Sequence, residues 1–408
     1  MKNVKKIVGL TKEFLQIPSS INYEKPFLKY LQKRAKSLGY KTILEETYLV
    51  VKPLDNPYTH TLFSAHIDRH SLIKNESGEL EYLAFYLKKQ MSSKFKFEEI
   101  HDIEQEVVQK INQLENIKCQ LREDFFVIKE NDSTLLKMER SGRKIFFESV
   151  GLRHTHEKIK SYHPKTGKIL REYKTGRYDI SIKDKKVIFD TIKPLKRGDK
   201  IFMFDSDLNF NKKLISGQID NVISVATIFA LMEERLFTQE AIFTTGEEIG
   251  ESWKCIQDYY SKNNLLKNSK SSETLVDDMG LAFTKKLDLV VIDTSPYLGL
   301  DEKPRGFLTL RNGDERGGFD EKQFREIKRI LKRKNIPIDL KPSDTGNTEL
   351  GKLTKETKGK INGITIQLPT TNYHTTYETC TKESLKNYYR VIKKLNHIEE
   401  SQVKKIKR

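Results

Sequence analysis

The chain has 408 residues, a length that fits two domains better than one compact domain. Hydrophobic residues make up 37% and aromatic residues 10% of it, and this composition excludes disorder over most of the chain. The formal net charge is +17, but 18 basic and 7 acidic residues lie between residues 140 and 200, and 8 and 2 between residues 385 and 408. The remainder holds 48 charges of each sign. The excess is therefore local and does not indicate nucleic-acid binding across the whole protein.

The beginning of the chain lacks the apolar run of a signal peptide, because Lys12 and Glu13 interrupt it. No window approaches the about 18 consecutive apolar residues of a membrane span. The three cysteines, Cys119, Cys255 and Cys380, lie far apart and form no CxxC pair, which argues against a disulfide framework and a thiolate zinc site. We therefore expect a cytoplasmic, reducing environment.

The first 72 residues alternate between helical and strand patterns. An apolar stripe from Val4 to Leu15 predicts an amphipathic helix, and residues 27–38 predict a second helix. Residues 61–65 predict a short strand that runs into His66.

Residues 73–214 follow a different sequence pattern. Short alternating runs are separated by Gly, Lys and Asp, a pattern that is typical of strands in a small β-rich domain. A helix is predicted only over residues 103–119. The clearest predicted strands are residues 125–129, 144–149, 178–182, 187–190 and 200–204.

The alternating α/β pattern resumes after Gly217. Predicted helices cover residues 221–236, 321–334 and 382–395, and predicted strands cover residues 241–245, 288–292 and 363–368. We therefore predict a three-layer α/β/α fold around a mostly parallel sheet. It would be formed by residues 1–72 and 215–408 and interrupted by an inserted β-rich domain of residues 73–214.

Histidines and acidic residues recur at the ends of the predicted strands and at the start of the helix at 221. In chain order they are His66, Asp220, Glu247, Glu248, Asp293 and His374. Catalytic groups and ligands collect at the carboxyl ends of strands in open α/β sheets. We therefore expect these side chains to share one site.

The residue types suit a pair of zinc-like ions. A bridging aspartate would hold both ions, and each ion would also bind one histidine and one terminal carboxylate. Asp68 lies two residues beyond His66 on the same side of an extended strand, so it can accept the second imidazole proton and fix the tautomer. Glu247 and Glu248 can point in different directions from a turn, so that one binds metal while the other transfers protons.

Each residue alone has a simpler explanation. A His-x-Asp pair in a loop is usually a hydrogen-bonded surface pair, two adjacent glutamates are usually solvated, and Asp220 alone would be a helix N-cap. The ordered set, with its flanking strands, favours a catalytic site.

In this order the set resembles the dinuclear zinc aminopeptidases. The chain is most similar to the glutamyl and deblocking aminopeptidase family that forms tetrahedral TET particles. The matching segments are SAHID at 64–68, GQIDN at 217–221, FTTGEEIG at 243–250, VVIDTS at 290–295, and GNTELGKL and GITIQLPTTNYHTTYET between 346 and 379. VIFDTIKPLKRGDKIFMF at 187–204 resembles part of that family's inserted β domain.

The resemblance implies a role for each ligand. Asp220 would bridge the two ions, His66 and Asp293 would complete one site, and Glu248 and His374 would complete the other. The ions would be zinc, with cobalt and manganese left open by these ligand types.

The resemblance also implies an activity, the removal of N-terminal residues from peptides. Glu247 would be the general base that takes a proton from the attacking water and passes it to the leaving amine. The family's self-assembly implies a homo-oligomer, with dimer and dodecamer both open.

Three segments depart from the family's pattern. Arg69 stands where an acidic residue is usual, NVIS at 221–224 replaces an Asp/Asn-Arg-Ile/Leu-Gly continuation, and Glu349 stands where aspartate is typical. None removes a ligand. We expect each near the substrate pocket, where it would affect specificity.

The remaining histidines and cysteines form no comparable set. His154 and His156 are predicted to be exposed strand residues, and Cys255 and Cys380 to be packing residues rather than nucleophiles. The histidines without a constellation of their own are His60, His70, His101, His163 and His397.

Tyrosines among the lysines of residues 140–200 would suit nucleic acid, but the turn chemistry is typical of a small Lys-rich β domain. We expect that segment to attract acidic peptides or to form a subunit contact, and the terminal KKIKR to be a solvated tail.

Two other functions compete with the aminopeptidase. Another metal-dependent amide hydrolase, such as a carboxypeptidase, deacylase or amidohydrolase, would use the same ligands, but the position of the insertion favours the aminopeptidase. A binding protein that retained only the fold would not need the complete ligand set with Glu247.

Overall fold

The structure is a computed structural model, and the residues that it describes fall into the following ranges. They are 2–54, 61–91, 117–122, 125–130, 133–139, 157–181, 186–263, 275–276, 282–283, 288–297, 300, 303–314, 316–341, 348–371 and 374–396.

The helices begin at residues that satisfy free backbone N–H groups where the sequence offers them. Asp320, Thr348 and Thr381 each accept a hydrogen bond from the first turn of the helix that follows. The described helices are α1 (Lys2–Leu15), α2 (Lys25–Ser37), α3 (Leu83–Met91), α4 (Val222–Glu233), α5 (Trp253–Lys262), α6 (Glu321–Arg333), α7 (Glu349–Glu356) and α8 (Lys382–Leu395).

The strands divide among one large sheet, one closed barrel and several small sheets. The described strands are β1 (Tyr40–Leu44), β2 (Tyr48–Pro53), β3 (Thr61–His66), β4 (Ser71–Lys74), β5 (Leu80–Tyr82), β6 (Ile117–Arg122), β7 (Phe125–Glu130), β8 (Ser133–Glu139), β9 (Lys158–Tyr162), β10 (Ile169–Ser181), β11 (Lys186–Thr191), β12 (Ile201–Phe204), β13 (Asn209–Phe210), β14 (Leu214–Gly217), β15 (Glu240–Thr244), β16 (Leu275–Val276), β17 (Ala282–Phe283), β18 (Asp288–Pro296), β19 (Leu308–Arg311), β20 (Gly313–Asp314), β21 (Gly317–Gly318), β22 (Ile338–Lys341), β23 (Gly363–Thr370) and β24 (Glu378–Thr381).

The large sheet has eight strands in the order β1-β2-β15-β3-β18-β23-β19-β22. Its centre, β15-β3-β18-β23, is parallel throughout, and β22 is parallel to β19. The pairs β1/β2, β2/β15 and β19/β23 are antiparallel. Thr244 pairs with His66 and Val291 with Ser64, so the carboxyl ends of the central strands meet at one edge. The predicted mostly parallel sheet is confirmed.

Helices cover both faces of this sheet. Successive residues of a strand point to opposite faces, so Phe63 and Ala65 pack with α1, α2, α4, α6 and α8, while Leu62 packs with α5 and α7. The resulting arrangement has the three layers expected from the sequence.

Helix α4 lies deeper than its sequence pattern suggested. In the helix predicted over 221–236, an apolar stripe is expected from Val222, Val225, Ala226, Phe229, Ala230 and Met232. In the structure every residue from Val222 to Met232 is buried. A helix that is apolar on all sides belongs in the interior of a domain. Here α4 packs in the same core as α1 and α8.

The closed barrel is formed by the six strands β10-β11-β5-β4-β12-β9. Its interior is filled by large apolar side chains such as Leu72, Tyr162 and Phe202. Ile249, from the turn after β15, packs in the same cluster. The barrel therefore lies directly against the turn that carries Glu247 and Glu248.

The structure corrects one predicted helix. Residues 117–119, the end of the helix predicted over 103–119, belong to strand β6. Apolar Ile117, Cys119 and Leu121 alternate there with polar residues, and this period of two is the signature of a strand. Residues 103–116, and the strand predicted over 144–149, lie outside the described residues.

The described part of the basic segment forms barrel strands. Tyr162 is buried in the barrel core, and the hydroxyl of Tyr173 donates a hydrogen bond to Asp199, which also pairs with Arg171. The side chains of these two tyrosines therefore take part in the packing and hydrogen bonding of the barrel itself.

None of the helices in the described part of the chain has the length and apolar character needed to span a bilayer.

Candidate metal centre

The predicted metal-binding residues meet at the carboxyl edge of the large sheet. Asp293 lies inside β18 rather than beyond it, because the strand continues four residues past the predicted end at 292. The others are placed as follows: His66 ends β3, Glu247 and Glu248 form a 3-10 turn after β15, His374 follows β23, and Asp220 precedes α4.

We define the first cluster as His66, Asp220 and Asp293. The Nε2 atom of His66 lies 3.3 Å from Oδ1 of Asp220 and 3.4 Å from Oδ1 of Asp293, and all three side chains are buried. Burial alone would lower the pKa of His66, but the carboxylates of Asp220, Asp293 and Asp68 outweigh it and raise that pKa well above its ordinary value. The ring is thus surrounded by negative charge.

We define the second cluster as Asp220, Glu248 and His374. The Nε2 atom of His374 lies 3.6 Å from Oδ2 of Asp220 and 3.8 Å from Oε2 of Glu248. Burial, followed by the charge of Asp220, raises the pKa of Glu248 well above its ordinary value. His374 has a φ of 59°, in the left-handed region that non-glycine residues seldom adopt and that occurs at functional sites.

Asp220 belongs to both clusters. Its Oδ1 faces His66 and its Oδ2 faces His374. Both oxygens are buried, and neither accepts a hydrogen bond of good geometry from the described residues. Buried carboxylate oxygens require a hydrogen-bond donor or a cation. Two cations, one on each side of Asp220, would satisfy this requirement.

The spacing of the donor atoms fits metal ions. Bonds of about 2.0–2.2 Å in a tetrahedral site place neighbouring ligand atoms about 3.3–3.6 Å apart. The separations within the first cluster are 3.3 and 3.4 Å, and those in the second are 3.6 and 3.8 Å. Imidazole nitrogen and carboxylate oxygen are also the donors that zinc binds.

Asp68 supports two parts of the site. Its Oδ1 lies 3.4 Å from Nδ1 of His66, on the ring edge opposite the first cluster. Its two oxygens also accept hydrogen bonds from the backbone N–H groups of Glu247 and Glu248, at 3.1 and 3.0 Å. The sequence predicted the first of these contacts but not the second.

Glu247 is half-buried. One of its carboxylate oxygens lies within 4.8 Å of a ligand atom of His66 and of a ligand atom of Glu248. Gly246, with a φ of 74°, lets the chain turn immediately after β15 and direct both glutamates inward. Burial, together with the charges of Glu248, Asp293 and Asp68, raises the pKa of Glu247 well above its ordinary value, against the opposing effect of His66.

The helix that follows β5 also contributes a cation beside the glutamates. Lys88, on α3, interacts electrostatically with Glu248 and Glu247. Burial lowers the pKa of Lys88 although these two carboxylates oppose the shift.

Glu378 was not predicted from the sequence. Its side chain is 1% exposed, and its two oxygens accept hydrogen bonds from the backbone N–H groups of Asp220 and His374, at 2.8 and 2.7 Å. It therefore connects two elements that carry ligands. The only available signal was a single acidic residue in the run HTTYETCT.

The structure corrects the prediction for His70, which the sequence did not group with any other ligand. Its Nε2 lies 2.8 Å from Oε2 of Glu248, and its ring centroid lies 4.2 Å from that of His374. Burial lowers the pKa of His70 to about 3. The missed signal is the alternation His66-x-Asp68-x-His70, which places three polar side chains on one side of an extended segment.

Two of the three departures from the family's pattern, Arg69 and Glu349, lie in the interior. Arg69 is buried and donates to Oγ of Ser19 and to the backbone oxygen of Leu15. Glu349 is buried behind the strands and accepts hydrogen bonds from Ser64 and Thr244. Burial raises the pKa of Glu349. Neither side chain is exposed, and their link to specificity stays a prediction.

The remaining cysteines and histidines are those that the sequence did not place in the site. Cys255 and Cys380 are buried, and burial raises the pKa of both thiols, as expected of packing residues. His163 is exposed. His60, His101, His154, His156 and His397 lie outside the described residues.

No family model and no curated protein matches this chain. Solved structures do match. An aminopeptidase from the archaeon Desulfurococcus kamchatkensis has a TM-score of 0.61 and 12% identity, covering 96% of this chain and 94% of its own. A TET aminopeptidase from a marine sediment Thaumarchaeota archaeon has a TM-score of 0.58 and 11% identity, covering 96% of each chain.

The TET1 peptidase of Pyrococcus horikoshii, which can assemble into a tetrahedron or a large octahedral shell, has a TM-score of 0.56 and 14% identity. The match covers 96% of this chain and 99% of that chain. The chain has the fold of the TET aminopeptidases. The resemblance found in the motifs is thereby confirmed at the level of the fold.

Proposed function

We propose that this protein is a metal-dependent aminopeptidase that removes N-terminal residues from peptides at a two-metal site. The observation that carries this proposal is the position of Asp220, whose two oxygens face two separate His-carboxylate clusters. The aminopeptidase activity named for the structural neighbours favours an amino-terminal substrate over that of a carboxypeptidase or deacylase.

The chain's own residues would hold two divalent ions, zinc in the first instance, with cobalt or manganese as alternatives. His66 and Asp293 would bind one ion and Glu248 and His374 the other, with Asp220 shared. When bound, the ions would supply Lewis acidity to the peptide carbonyl and to the attacking water.

The proton transfers would belong to Glu247. Its carboxylate would accept a proton as the water oxygen bonds to the carbonyl carbon, and would return that proton to the amine nitrogen as the C–N bond breaks. Asp68 would keep the proton of His66 on Nδ1 and leave Nε2 available to the metal. The same aspartate would fix the turn, so that Glu247 and Glu248 keep their separate directions.

We further propose that the barrel belongs to an inserted β-rich domain of residues 73–214, with the catalytic domain formed by residues 1–72 and 215–408. The assemblies of the Pyrococcus horikoshii peptidase support a homo-oligomer here as well. We also propose a cytoplasmic location, which the spacing of the cysteines favours.

The test is a set of chromogenic aminoacyl and N-acylated substrates, assayed with Glu247→Gln and with Glu251→Gln as the control in the same loop. We expect cleavage of free N-termini, loss of activity on chelation, and about a 10²–10⁴-fold lower kcat for Glu247→Gln with both ions retained. Cleavage of only the N-acylated substrates would favour the deacylase. Full activity of Glu247→Gln would exclude the assigned base.

A further inference from the structure

We infer that His70 is an additional ligand of the second metal site, which would then be formed by His70, Glu248, His374 and Asp220. This inference rests on the proposed two-metal function. It adds an imidazole that the motif resemblance does not supply.

The first argument is proximity. The ligand atoms of His70, Glu248 and His374 all lie within 4.8 Å of one another, and all three residues are buried. A single ion between Glu248 and His374 would therefore lie within reach of His70.

The second argument is the spacing of the donors. Oε2 of Glu248 lies 2.8 Å from Nε2 of His70 and 3.8 Å from Nε2 of His374. These separations lie on either side of the about 3.3–3.6 Å expected between neighbouring ligands of one tetrahedral ion. They depart from that range by about 0.5 and about 0.2 Å.

The third argument is that the ring is held in place. It stacks on Tyr82 of the barrel with a centroid distance of 5.5 Å and an interplanar angle of 25°. The backbone oxygen of His70 accepts a hydrogen bond from Nε2 of Gln218 at 3.0 Å, and the backbone N–H of the preceding Arg69 donates to Ser19. A ligand held from several sides in this way loses little freedom when it binds metal.

The consequence is that the two sites become unequal. The first would offer one imidazole, from His66, whereas the second would offer two, from His70 and His374. Imidazole-rich sites favour zinc, copper and cobalt over manganese, which prefers carboxylates. The second site should therefore fill first, and the first site should exchange its ion more readily.

The test uses the full-length protein, stripped of metal and reloaded with two equivalents of zinc, and X-ray absorption to count the imidazoles per zinc ion, averaged over both sites. We expect about 1.5 imidazoles per zinc for the wild type and about one for His70→Gln. Calorimetric zinc affinity should fall more than about 100-fold in His70→Gln, since loss of a residue that only orients a ligand costs 10–100-fold. His163→Gln, which changes an exposed imidazole of the barrel, should match the wild type.

The wild-type measurement is independent of whether the variant folds. About one imidazole per zinc in the wild type, with both sites loaded, would overturn the assignment of His70, as would an unchanged count in His70→Gln. If the protein binds two ions and cleaves peptides but shows one imidazole, only the His70 assignment fails. If it binds no ion, the proposed function fails as well.

Discussion

The two clusters on either side of Asp220 are built in different ways. In the first, His66 and Asp293 belong to β3 and β18, which are parallel neighbours in the centre of the sheet. In the second, Glu248 lies in a short turn and His374 in the segment after β23. Backbone pairing therefore fixes the first cluster, while the second depends on other contacts.

Those contacts come from two buried carboxylates. Asp68 accepts from the backbone of Glu247 and Glu248, and Glu378 accepts from the backbone of Asp220 and His374. The comparison shows that buried side chains can position ligands that lie on turns, beyond the ends of the strands.

The largest effect should follow from removing the residue that both clusters share. Asp220→Ala leaves the first cluster with one histidine and one carboxylate, and the second with Glu248, His374 and the proposed ligand His70. We expect loss of the ion at the first cluster, weaker binding at the second, and loss of peptidase activity. Metal content after gel filtration checks this, with Asp207→Ala as a control at an exposed aspartate. Retention of two tightly bound ions would mean that neither cluster needs Asp220.

A smaller and asymmetric effect should follow from Glu378→Gln. A glutamine offers only one oxygen, so it can no longer accept from both Asp220 and His374. We expect about a 10–100-fold loss of metal affinity at the second cluster and less at the first, measured by stepwise calorimetric titration. Equal losses at both clusters would contradict the division between sheet-held and side-chain-held ligands.

The smallest effect on activity should come from Glu349→Asp, at the residue that accepts from Ser64 of β3 and Thr244 of β15. The shorter side chain cannot hold both Ser64 and Thr244, so the free energy of unfolding should fall by about 1–3 kcal/mol. Urea unfolding measures that change. The preference among substrates should stay as in the wild type. An altered preference would mean that Glu349 affects the substrate pocket after all.

The sequence predicted the first cluster and the main sheet because both depend on local patterns. Apolar runs mark β3 and β18, and parallel strands bring their carboxyl ends together wherever they pair. His66 and Asp293 could therefore be placed near each other without knowledge of any side-chain contact.

The supporting residues could not be found in this way. Glu378 acts on Asp220, 158 positions away, and on a backbone N–H rather than on a recognisable side chain. His70 contacts Glu248 only because the chain continues in an extended direction past β3 into the barrel. The helix predicted over residues 103–119 is wrong at residues 117–119, which form a strand. Apolar and polar residues alternate there, and this alternation favours a strand over a helix.

The most direct test of the two-cluster account is anomalous diffraction from crystals of the wild-type protein loaded with zinc. We predict two peaks, one contacted by His66 and Asp293 and the other by Glu248 and His374, with one oxygen of Asp220 directed at each. A single peak, or two peaks on the same side of Asp220, would contradict the account.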